Sequence, residues 1–339
     1  MPQAVTHAIA GLLSAVTIQM SLPAAIAENC SPYSDQLVAI DANYNEGQLE
    51  AAKQLAAHAL TCPDITAREQ VTLHLKLSAI YDRIGLHHNT RPVAESLAHI
   101  EVAEDLTVGL DPITKARVAL ARSKYFYRAE MAERKFSEAE KYGRSALAVF
   151  TAEKDIVGQA DAAHALGLIY FQRRELAEAR EFFDQSLVLE RSTGKPRAVM
   201  LADYGRHAGF IYLVSGDRAA AIPHFQQSLA DRVRGGLKDP AMFAGITLAS
   251  ALVDEGRIED AAIPLVYALK VAEEILSPSG KVRALLVAGK FYVAQNNIEK
   301  AKTAFIEARD IAVKIGLSSS ASRAQASLEG LMASDDSPG

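Results

Sequence analysis

The stretch AAHALGLIYFQRRELAEAREFFDQSL, residues 162–187, decides the fold of this chain. Apolar residues recur at helical spacing on both sides of the polar segment 172–175, which predicts two amphipathic helices joined by a tight turn. In the second helix, Ala179 and Ser186 lie seven residues apart with Phe183 between them. Residues at these spacings share one helix face, so that face presents one large side chain between two small ones. Because small residues permit close helix contact, the stretch predicts a tightly packed antiparallel helix pair.

The same pair of small residues returns about every forty residues along the chain. Its first members are Ala139, Ala179, Ala221, Ala261 and Ala301, and its second members are Ala146, Ser186, Ser228, Ala268 and Ala308. A helical pattern with this period predicts stacked helix pairs, which spread the core along an axis instead of gathering it in one globule. We expect about seven pairs in residues 28–333, the last followed by a capping helix from about Ser320 to Ala333, and a disordered tail at 334–339.

Three dipeptides that contain proline mark predicted helix starts. They are Asp111-Pro112, Asp239-Pro240 and Ser277-Pro278. In each, a side-chain oxygen that can cap backbone N–H groups precedes a proline, and proline fits the first helical turn. We therefore expect Asp111, Asp239 and Ser277 to be N-cap residues at the starts of new helix pairs.

The repeat resembles that of the tetratricopeptide repeat superfamily, in a variant with longer helices than the usual unit of about 34 residues. The residues that carry the resemblance are Leu166, Gly167, Tyr170, Ala179, Phe183 and Ser186, then Gly209, Tyr212, Ala221, Phe225 and Ser228, and finally Gly289, Tyr292, Ala301, Phe305 and Ala308. The resemblance implies an all-α fold, a right-handed superhelical solenoid of antiparallel helix pairs whose first helices line a concave groove. It also implies a protein partner.

Composition and motifs favour a role that is not enzymatic. The net charge is −5 and the pI is about 6.0, so the overall balance gives no general attraction to nucleic acid. The sequence contains no Gly-rich phosphate loop, no Gly-x-Ser-x-Gly elbow, no His-Glu-x-x-His and no Cys/His cluster with zinc spacing. We therefore expect no catalytic residues, no cofactor and no resident metal.

Residues 1–27 differ from the rest because they contain no Asp, Glu, Lys or Arg. The segment 8–20 is mostly apolar and is followed by Ala25-Ile26-Ala27, a small-x-small sequence that predicts a signal peptide cleaved before Glu28. We expect the mature protein to be exported, to a bacterial periplasm, and not to span the membrane. An uncleaved anchor and a misassigned start are the alternatives.

The chain has two cysteines, Cys30 and Cys62, and both follow the predicted cleavage site. Cys30 precedes a predicted helix at 33–45, and Cys62 follows a second at 47–61. In an antiparallel hairpin those two ends meet, so we expect a disulfide that stabilises the hairpin by about 3–4 kcal/mol. The alternative is a pair of free thiols in a reducing compartment.

Residues on the predicted inner face of the first helices are the candidate binding residues. They are Lys124, Arg128, Asp161, His164, Phe171, Asp203, Arg206, His207, Phe210, Phe243, Arg283 and Lys290. Aromatic anchors among charges of both signs are typical of a groove that holds an extended peptide or a partner helix. The alternative is an ordinary solvated helix face.

Narrower hypotheses concern four of these residues. His164 and His207 with Asp161 and Asp203 offer two imidazoles and two carboxylates, but no tight ligand spacing supports a metal site. Asp203 and His207 lie four residues apart, so the two side chains can simply pair. Since Asp161 and Asp203 interrupt the basic groove residues, an acidic C-terminal peptide is not a favoured ligand.

The leading functional hypothesis is a non-enzymatic exported scaffold or adaptor that binds a partner protein through its concave groove. The alternative is a periplasmic accessory component of an envelope transport system that binds a lipid or another apolar small molecule, because exported proteins similar to this superfamily serve in some of those systems. The sequence feature that supports this alternative is a set of apolar inner positions, namely Leu168, Phe171, Phe210, Leu213, Phe243, Ile246 and Leu286. These residues equally suit an ordinary packed core.

Overall fold

The computed structural model describes residues 30–90 and 93–335, and within these ranges the secondary structure is entirely helical. The predicted signal peptide, its cleavage site before Glu28 and the tail residues 336–339 lie outside the described residues. The helices are α1 (Tyr33–Glu46), α2 (Leu49–Ala59), α3 (Ala67–His88), α4 (Ala94–Asp105), α5 (Pro112–Ala129), α6 (Ser137–Ala152), α7 (Ile156–Gln172), α8 (Leu176–Ser192), α9 (Ala198–Val214), α10 (Arg218–Arg234), α11 (Lys238–Asp254), α12 (Ile258–Glu274), α13 (Pro278–Ala294), α14 (Ile298–Lys314) and α15 (Ser318–Asp335). None of these helices is both long enough and apolar enough to cross a membrane.

The helices pack as seven consecutive pairs, from α1 and α2 to α13 and α14, and α15 covers the last pair. We call the odd-numbered member of each pair the first helix and the even-numbered member the second helix. First helices of successive pairs touch each other, as α5 touches α7 and α11 touches α13, which places them on the inner curvature of the stack. The predicted solenoid with a capping helix is therefore confirmed, although α15 runs into the predicted tail as far as Asp335.

Three of the pairs, α7–α8, α9–α10 and α13–α14, are locked by a phenylalanine that fits against a glycine. A Cβ atom added at Gly167 would lie 2.6 Å from Cε1 of Phe183, and one added at Gly209 would lie 2.5 Å from Cε1 of Phe225. The aromatic ring thus occupies the space that any side chain on the glycine would need. The large residue between two small ones is therefore the contact that holds first and second helices together.

The small residues of the repeat lie at the centre of this contact. All of the first members, from Ala139 to Ala301, have no exposed surface. Where the second member is a serine, its hydroxyl also donates a hydrogen bond to the first helix: Ser186 to the Ala160 carbonyl at 2.9 Å, and Ser228 to that of Ala202 at 2.7 Å. These buried bonds fix the offset of the two helices along each other.

Two of the three predicted caps are confirmed. The side chain of Asp111 accepts from the Thr114 amide, and that of Ser277 accepts from the Gly280 amide. The prediction for Asp239 is wrong, because α11 begins at Lys238 with Leu237 as its N-cap residue, two residues earlier than predicted. Asp239 is instead fully buried and bonds to residues of α3.

The predicted disulfide is present between Cys30 and Cys62, whose Cα atoms lie 5.9 Å apart. It joins the segment before α1 to the segment after α2 and closes the open end of the first hairpin. Gly47 takes a left-handed conformation, with φ of 80°, and ends α1 instead of starting α2 as predicted. Glycine tolerates this conformation without a steric penalty, which makes it a common helix terminator.

The superhelix closes on itself after one turn. The first helix of pair 1, α1, packs against that of pair 6, α11, and α3 of pair 2 packs against α13 of pair 7. The hydroxyl of Ser279 donates to the Leu86 carbonyl at 2.9 Å, and the amide of Asn89 donates to the Gly316 carbonyl at 3.1 Å. One turn therefore spans five pairs, and the inner face is surrounded by helices on all sides.

Candidate binding groove

The inner face of α5, α7 and α9 brings together six of the predicted site residues. They are Lys124, Asp161, His164, Asp203, Arg206 and His207. The imidazoles of His164 and His207 meet with Nε2 and Nδ1 3.3 Å apart, and Arg206 Nη2 donates to His207 Nε2 at 3.0 Å. Because the guanidinium can only donate, His207 Nε2 is the acceptor and the ring proton sits on Nδ1, toward His164.

Both histidines are held in the neutral state. Burial lowers the pKa of His164 to about 4, and the charges of Lys124 and Arg206 act in the same direction. Burial also lowers the pKa of His207 well below its ordinary value, again with the charge of Arg206 in the same direction. At neutral pH the pair is therefore an uncharged hydrogen-bonding unit beside two cations.

The prediction that His207 faces the groove is not confirmed. It is 2% exposed, and its ring stacks on Phe183 with the ring centroids 4.7 Å apart. The ring lies between α8 and α9, the second helix of one pair and the first helix of the next, where it extends the contact that Phe183 makes with Gly167. His207 is therefore part of the packing, and what it offers the groove is the orientation of Arg206 and His164.

The groove residue Asp161 is neutralised by an arginine from the loop between α8 and α9. Arg197 donates to its two oxygens at 3.2 and 2.8 Å. The same guanidinium donates to Glu190, which is 1% exposed. A bidentate arginine bond satisfies the carboxylate geometry and leaves Asp161 with little capacity to repel an anion.

The second groove acid, Asp203, pairs with Arg232 and not with His207 as predicted. Arg232 lies in the second helix α10, is 2% exposed and also donates to the Ser228 hydroxyl. Burial raises the pKa of Asp203, but the charge of Arg232 outweighs this effect and leaves the pKa below its ordinary value. Asp203 is therefore ionised and paired.

The third acid on this face, Asp239, joins the two ends of the superhelical turn. It accepts from Arg83 at 2.7 Å and from His87 at 3.0 Å, both in α3. Arg83 in turn contacts Tyr44 of α1, with Nη2 3.2 Å from the phenol oxygen. Burial raises the pKa of Asp239, yet the charge of Arg83 and the bond from His87 lower it below its ordinary value. This buried cluster fixes the closure.

The predicted aromatic residues line the same face, and two of them carry an arginine. Phe171 and Phe210 lie with ring centroids 6.3 Å apart, and Arg206 lies 5.7 Å from the centre of the Phe210 ring. In the later pairs, Arg283 lies 5.5 Å from the centre of the Phe243 ring. These half-buried rings and their cations can take up either an aromatic or an acidic side chain.

Two predicted site residues are engaged elsewhere. Arg128 bonds to Asp82 of α3 at 2.8 Å, and Lys290 bonds to Asp254 at the end of α11 at 3.1 Å. The positive charge of each is therefore already paired with a carboxylate. The sequence analysis does not identify the three arginines that bond to the groove acids. Arg83 comes from the opposite side of the turn, Arg197 from a loop and Arg232 from a second helix.

The apolar positions that motivated a lipid ligand divide between groove and core. Ile246 and Leu286 are 8% and 5% exposed and belong to the core of the last pairs, while Leu168 and Leu213 are partly buried. A cavity of about 40 Å³ near Tyr204 and an open depression of about 390 Å³ around Asp217 are not lined by any of these apolar positions. Core packing therefore explains most of the apolar inner positions.

Comparison with known proteins agrees with the fold. A tetratricopeptide repeat family profile matches residues 159–194, which form most of α7 and α8. No curated protein sequence matches the chain significantly. A Rap protein complexed with Competence and Sporulation Factor superposes with a TM-score of 0.54 at 13% identity, covering 89% of this chain and 99% of that one.

Two further crystal structures are similar. BtubC from P. vanneervenii superposes with a TM-score of 0.50 at 16% identity, covering 75% of this chain and 93% of its own. Aspartyl phosphate phosphatase F from Bacillus subtilis gives 0.50 at 11% identity, with coverages of 91% and 96%. Identities this low establish the fold alone, which is a helical solenoid of the tetratricopeptide-repeat type.

Proposed function

We propose that this protein is a non-enzymatic adaptor that binds a segment of a partner protein in its inner groove. The observation that carries the proposal is the groove of α5, α7 and α9, where the aromatic pair Phe171 and Phe210 lies beside Lys124 and Arg206. Aromatic side chains and arginines are the residues that dominate the binding energy of protein interfaces. The similar Rap protein, whose structure is a complex with Competence and Sporulation Factor, gives additional support.

The closed turn favours a slender ligand. Since α1 and α3 pack against α11 and α13, the groove is enclosed along its side. An extended peptide segment fits such a groove along its axis, whereas a folded domain needs an open concave face. A lipid ligand has less support, because Ile246 and Leu286 are occupied with core packing.

The proposal is tested by capturing the natural partner with groove variants. Phe171→Ala with Phe210→Ala removes the aromatic pair, and Ile263→Ala, at a residue that is 81% exposed on the second helix α12, is the matched control. We expect the double variant to lose the partner that wild type and control retain at a temperature where all three are folded, since the packing of Phe171 and Phe210 against core side chains also contributes to stability. Equal capture by all three proteins would refute the groove as the binding surface.

We further propose that the protein is exported to a bacterial periplasm after cleavage before Glu28. The bonded pair Cys30 and Cys62 supports this, because disulfides persist in oxidising compartments. Intact-mass analysis of protein from its own envelope fraction tests the proposal. A mass that begins at Glu28 and is two hydrogens lighter than the reduced chain is expected, and an uncleaved, reduced chain would contradict export.

A further inference from the structure

We propose that the groove selects acidic segments of its partner protein, an inference that rests on the proposed function and names the ligand class. Four cations on the inner face of the first helices and of α15 are its recognition elements. They are Lys124, Arg206, Arg283 and Arg323. Among the side chains that the structure describes, those of residues 30–90 and 93–332, no carboxylate oxygen lies within 4.0 Å of a side-chain nitrogen of any of the four.

The first two cations lie on either side of His164. Arg206 is half-buried, and its Nε has neither solvent contact nor a hydrogen-bond partner. Its Nη2 is held by His207, and its guanidinium lies over the Phe210 ring. Lys124 is exposed on the neighbouring first helix, and both charges reach His164. A rigidly positioned arginine without a carboxylate partner is uncommon inside a protein groove, because desolvating a charge is costly unless a ligand offsets it.

The other two cations lie near the end of the stack. The position six residues before the inner-helix glycine holds Asp161 in α7 and Asp203 in α9, but Arg283 in α13, while the third groove acid, Asp239, is the second residue of α11. Each of the three acids has an arginine partner, whereas Arg283 faces Arg323 of the capping helix. Arg283 keeps contact with solvent, but the groove walls desolvate it, and this desolvation followed by the charge of Arg323 lowers its pKa. An anion between two like charges reduces the repulsion between them.

The groove acids do not cancel these cations. Asp161 is bonded by Arg197, Asp203 by Arg232 and Asp239 by Arg83. The sequence analysis weighs Asp161 and Asp203 against an acidic C-terminal peptide, and in the structure both carboxylates are paired with arginines. Paired acids leave the unpaired cations to set the potential of the groove.

The chemistry of the cations fits side-chain carboxylates of an extended segment. Arginine forms bidentate bonds with carboxylates, and such charged bonds are stronger in a groove that is partly shielded from water. The Phe210 and Phe243 rings each lie beside an arginine guanidinium. Because Nε of Arg206 is buried and its Nη2 bonds to His207, Nη1 is the Arg206 nitrogen left for a ligand. We therefore expect a segment with acidic residues at two places, one near Arg206 and one near Arg283.

Fluorescence anisotropy with three labelled decamers tests the inference. The peptides alternate serine with glutamate, glutamine or lysine. We expect the glutamate peptide to bind, and Arg206→Gln and Arg283→Gln each to weaken its affinity by roughly tenfold, as the loss of one charged hydrogen-bonding group does. The matched control is Arg257→Gln, which removes an exposed arginine that pairs with Asp260 on the second helix α12.

Different outcomes separate this inference from the proposed function. If the glutamine peptide binds as tightly as the glutamate peptide and Phe210→Ala abolishes both, the groove binds proteins without charge selection, and only the inference is overturned. Equal binding of an oligothymidylate of similar charge would show a general polyanion surface and would also overturn it. Should Arg206→Gln alter the thermal midpoint, Arg283→Gln, at an exposed residue, decides the question alone.

Discussion

The packing of Phe183 against Gly167 shows why the repeat carries glycine in its first helices. A methyl group at Gly167 would lie 2.6 Å from the aromatic ring, well inside normal contact distance. Glycine in a helix interior costs about 0.5–1 kcal/mol relative to alanine. The close approach of two helices offsets this cost, because it buries a whole phenylalanine ring that is only 2% exposed.

Gly167→Ala should destabilise the protein although alanine is the better helix former. We expect a loss of about 1–3 kcal/mol, the usual cost of an overpacked core, measured by urea unfolding. Gly330→Ala is the control, because Gly330 lies in α15 with no atom within 4 Å of its added Cβ. That variant should gain about 0.5–1 kcal/mol. A stabilised Gly167→Ala protein would disprove the packing role of the glycine.

The neutral histidine pair makes the protein sensitive to acid. The folded-state pKa of His164 is about 4, while an unfolded histidine has a pKa of about 6.5. The unfolded chain therefore binds the proton first as the pH falls. Stability is full above about pH 6.5 and declines between there and about pH 4, by about 2–3 kcal/mol for His164.

Urea unfolding at pH 7 and pH 5 measures this effect. We expect His164→Gln to lower the pH dependence of the unfolding free energy, because the variant has no group to protonate at this position. His88→Gln, at an exposed residue at the end of α3, should leave the dependence unchanged. An identical slope in wild type and His164→Gln would rule out a depressed pKa for His164.

Residue contacts were predictable where they are local in sequence. Ala179, Phe183 and Ser186 lie within eight residues, and helical geometry alone places them on one face. Arg83 and Asp239 are 156 residues apart, and no spacing rule connects them. The sequence predicts Asp239 to be a cap because its local sequence, an acid before a proline, is that of a helix start.

At the scale of elements, the first hairpin is the one unit with a covalent closure. The disulfide joins the start of α1 to the end of α2, which is a terminal pair with a neighbour on one side in the stack. Terminal repeats are the first to unfold in a solenoid, since each pair is stabilised mainly by its neighbours. The crosslink and the contact of α1 with α11 both act against this fraying.

Reduction of the disulfide should loosen the first hairpin selectively. The chain-entropy model gives about 3–4 kcal/mol for a loop of this length. We expect Cys30→Ser with Cys62→Ser to raise hydrogen exchange in α1 and α2, while α9 and α10 stay protected. Uniform exchange across the whole chain would show instead that the stack unfolds as one unit, and no change would show that the crosslink is dispensable.

Element boundaries followed from the sequence to within a few residues. The helix predicted at 33–45 runs from Tyr33 to Glu46, and the second of the pair begins at Leu49 and not at residue 47. The difference arises because Gly47 adopts a left-handed conformation that ends a helix, whereas its place before an apolar stretch suggested a start.

On the scale of the whole molecule, the closed turn is the property that sequence reasoning did not reveal. The forty-residue period predicts that pairs stack, but the superhelical pitch depends on small rotations between successive pairs that no local pattern encodes. Closure follows when those rotations sum to a full turn over five pairs. It converts a concave face into an enclosed groove and brings Asp239 to Arg83 and His87.

Asp239→Asn tests the closure. It leaves Arg83 partly buried without its counter-charge, so we expect a loss of about 3–5 kcal/mol and a larger radius of gyration in small-angle scattering. Asp254→Asn is the control, since Asp254 pairs with Lys290 at an exposed position and should change stability by less than about 1 kcal/mol. If Asp239→Asn is as stable and compact as the control, the cluster does not hold the turn closed.

The measurement that tests the account most directly is photo-crosslinking from inside and outside the turn. Benzoylphenylalanine replaces Phe171 in the groove, where it keeps an aromatic ring, or Ile263 on the outward second helix, and the protein is irradiated in its own cells. We predict that position 171 captures one partner through a peptide rich in acidic residues, while position 263 does not. Capture of the same partner from position 263, with none from position 171, would contradict a binding function for the groove.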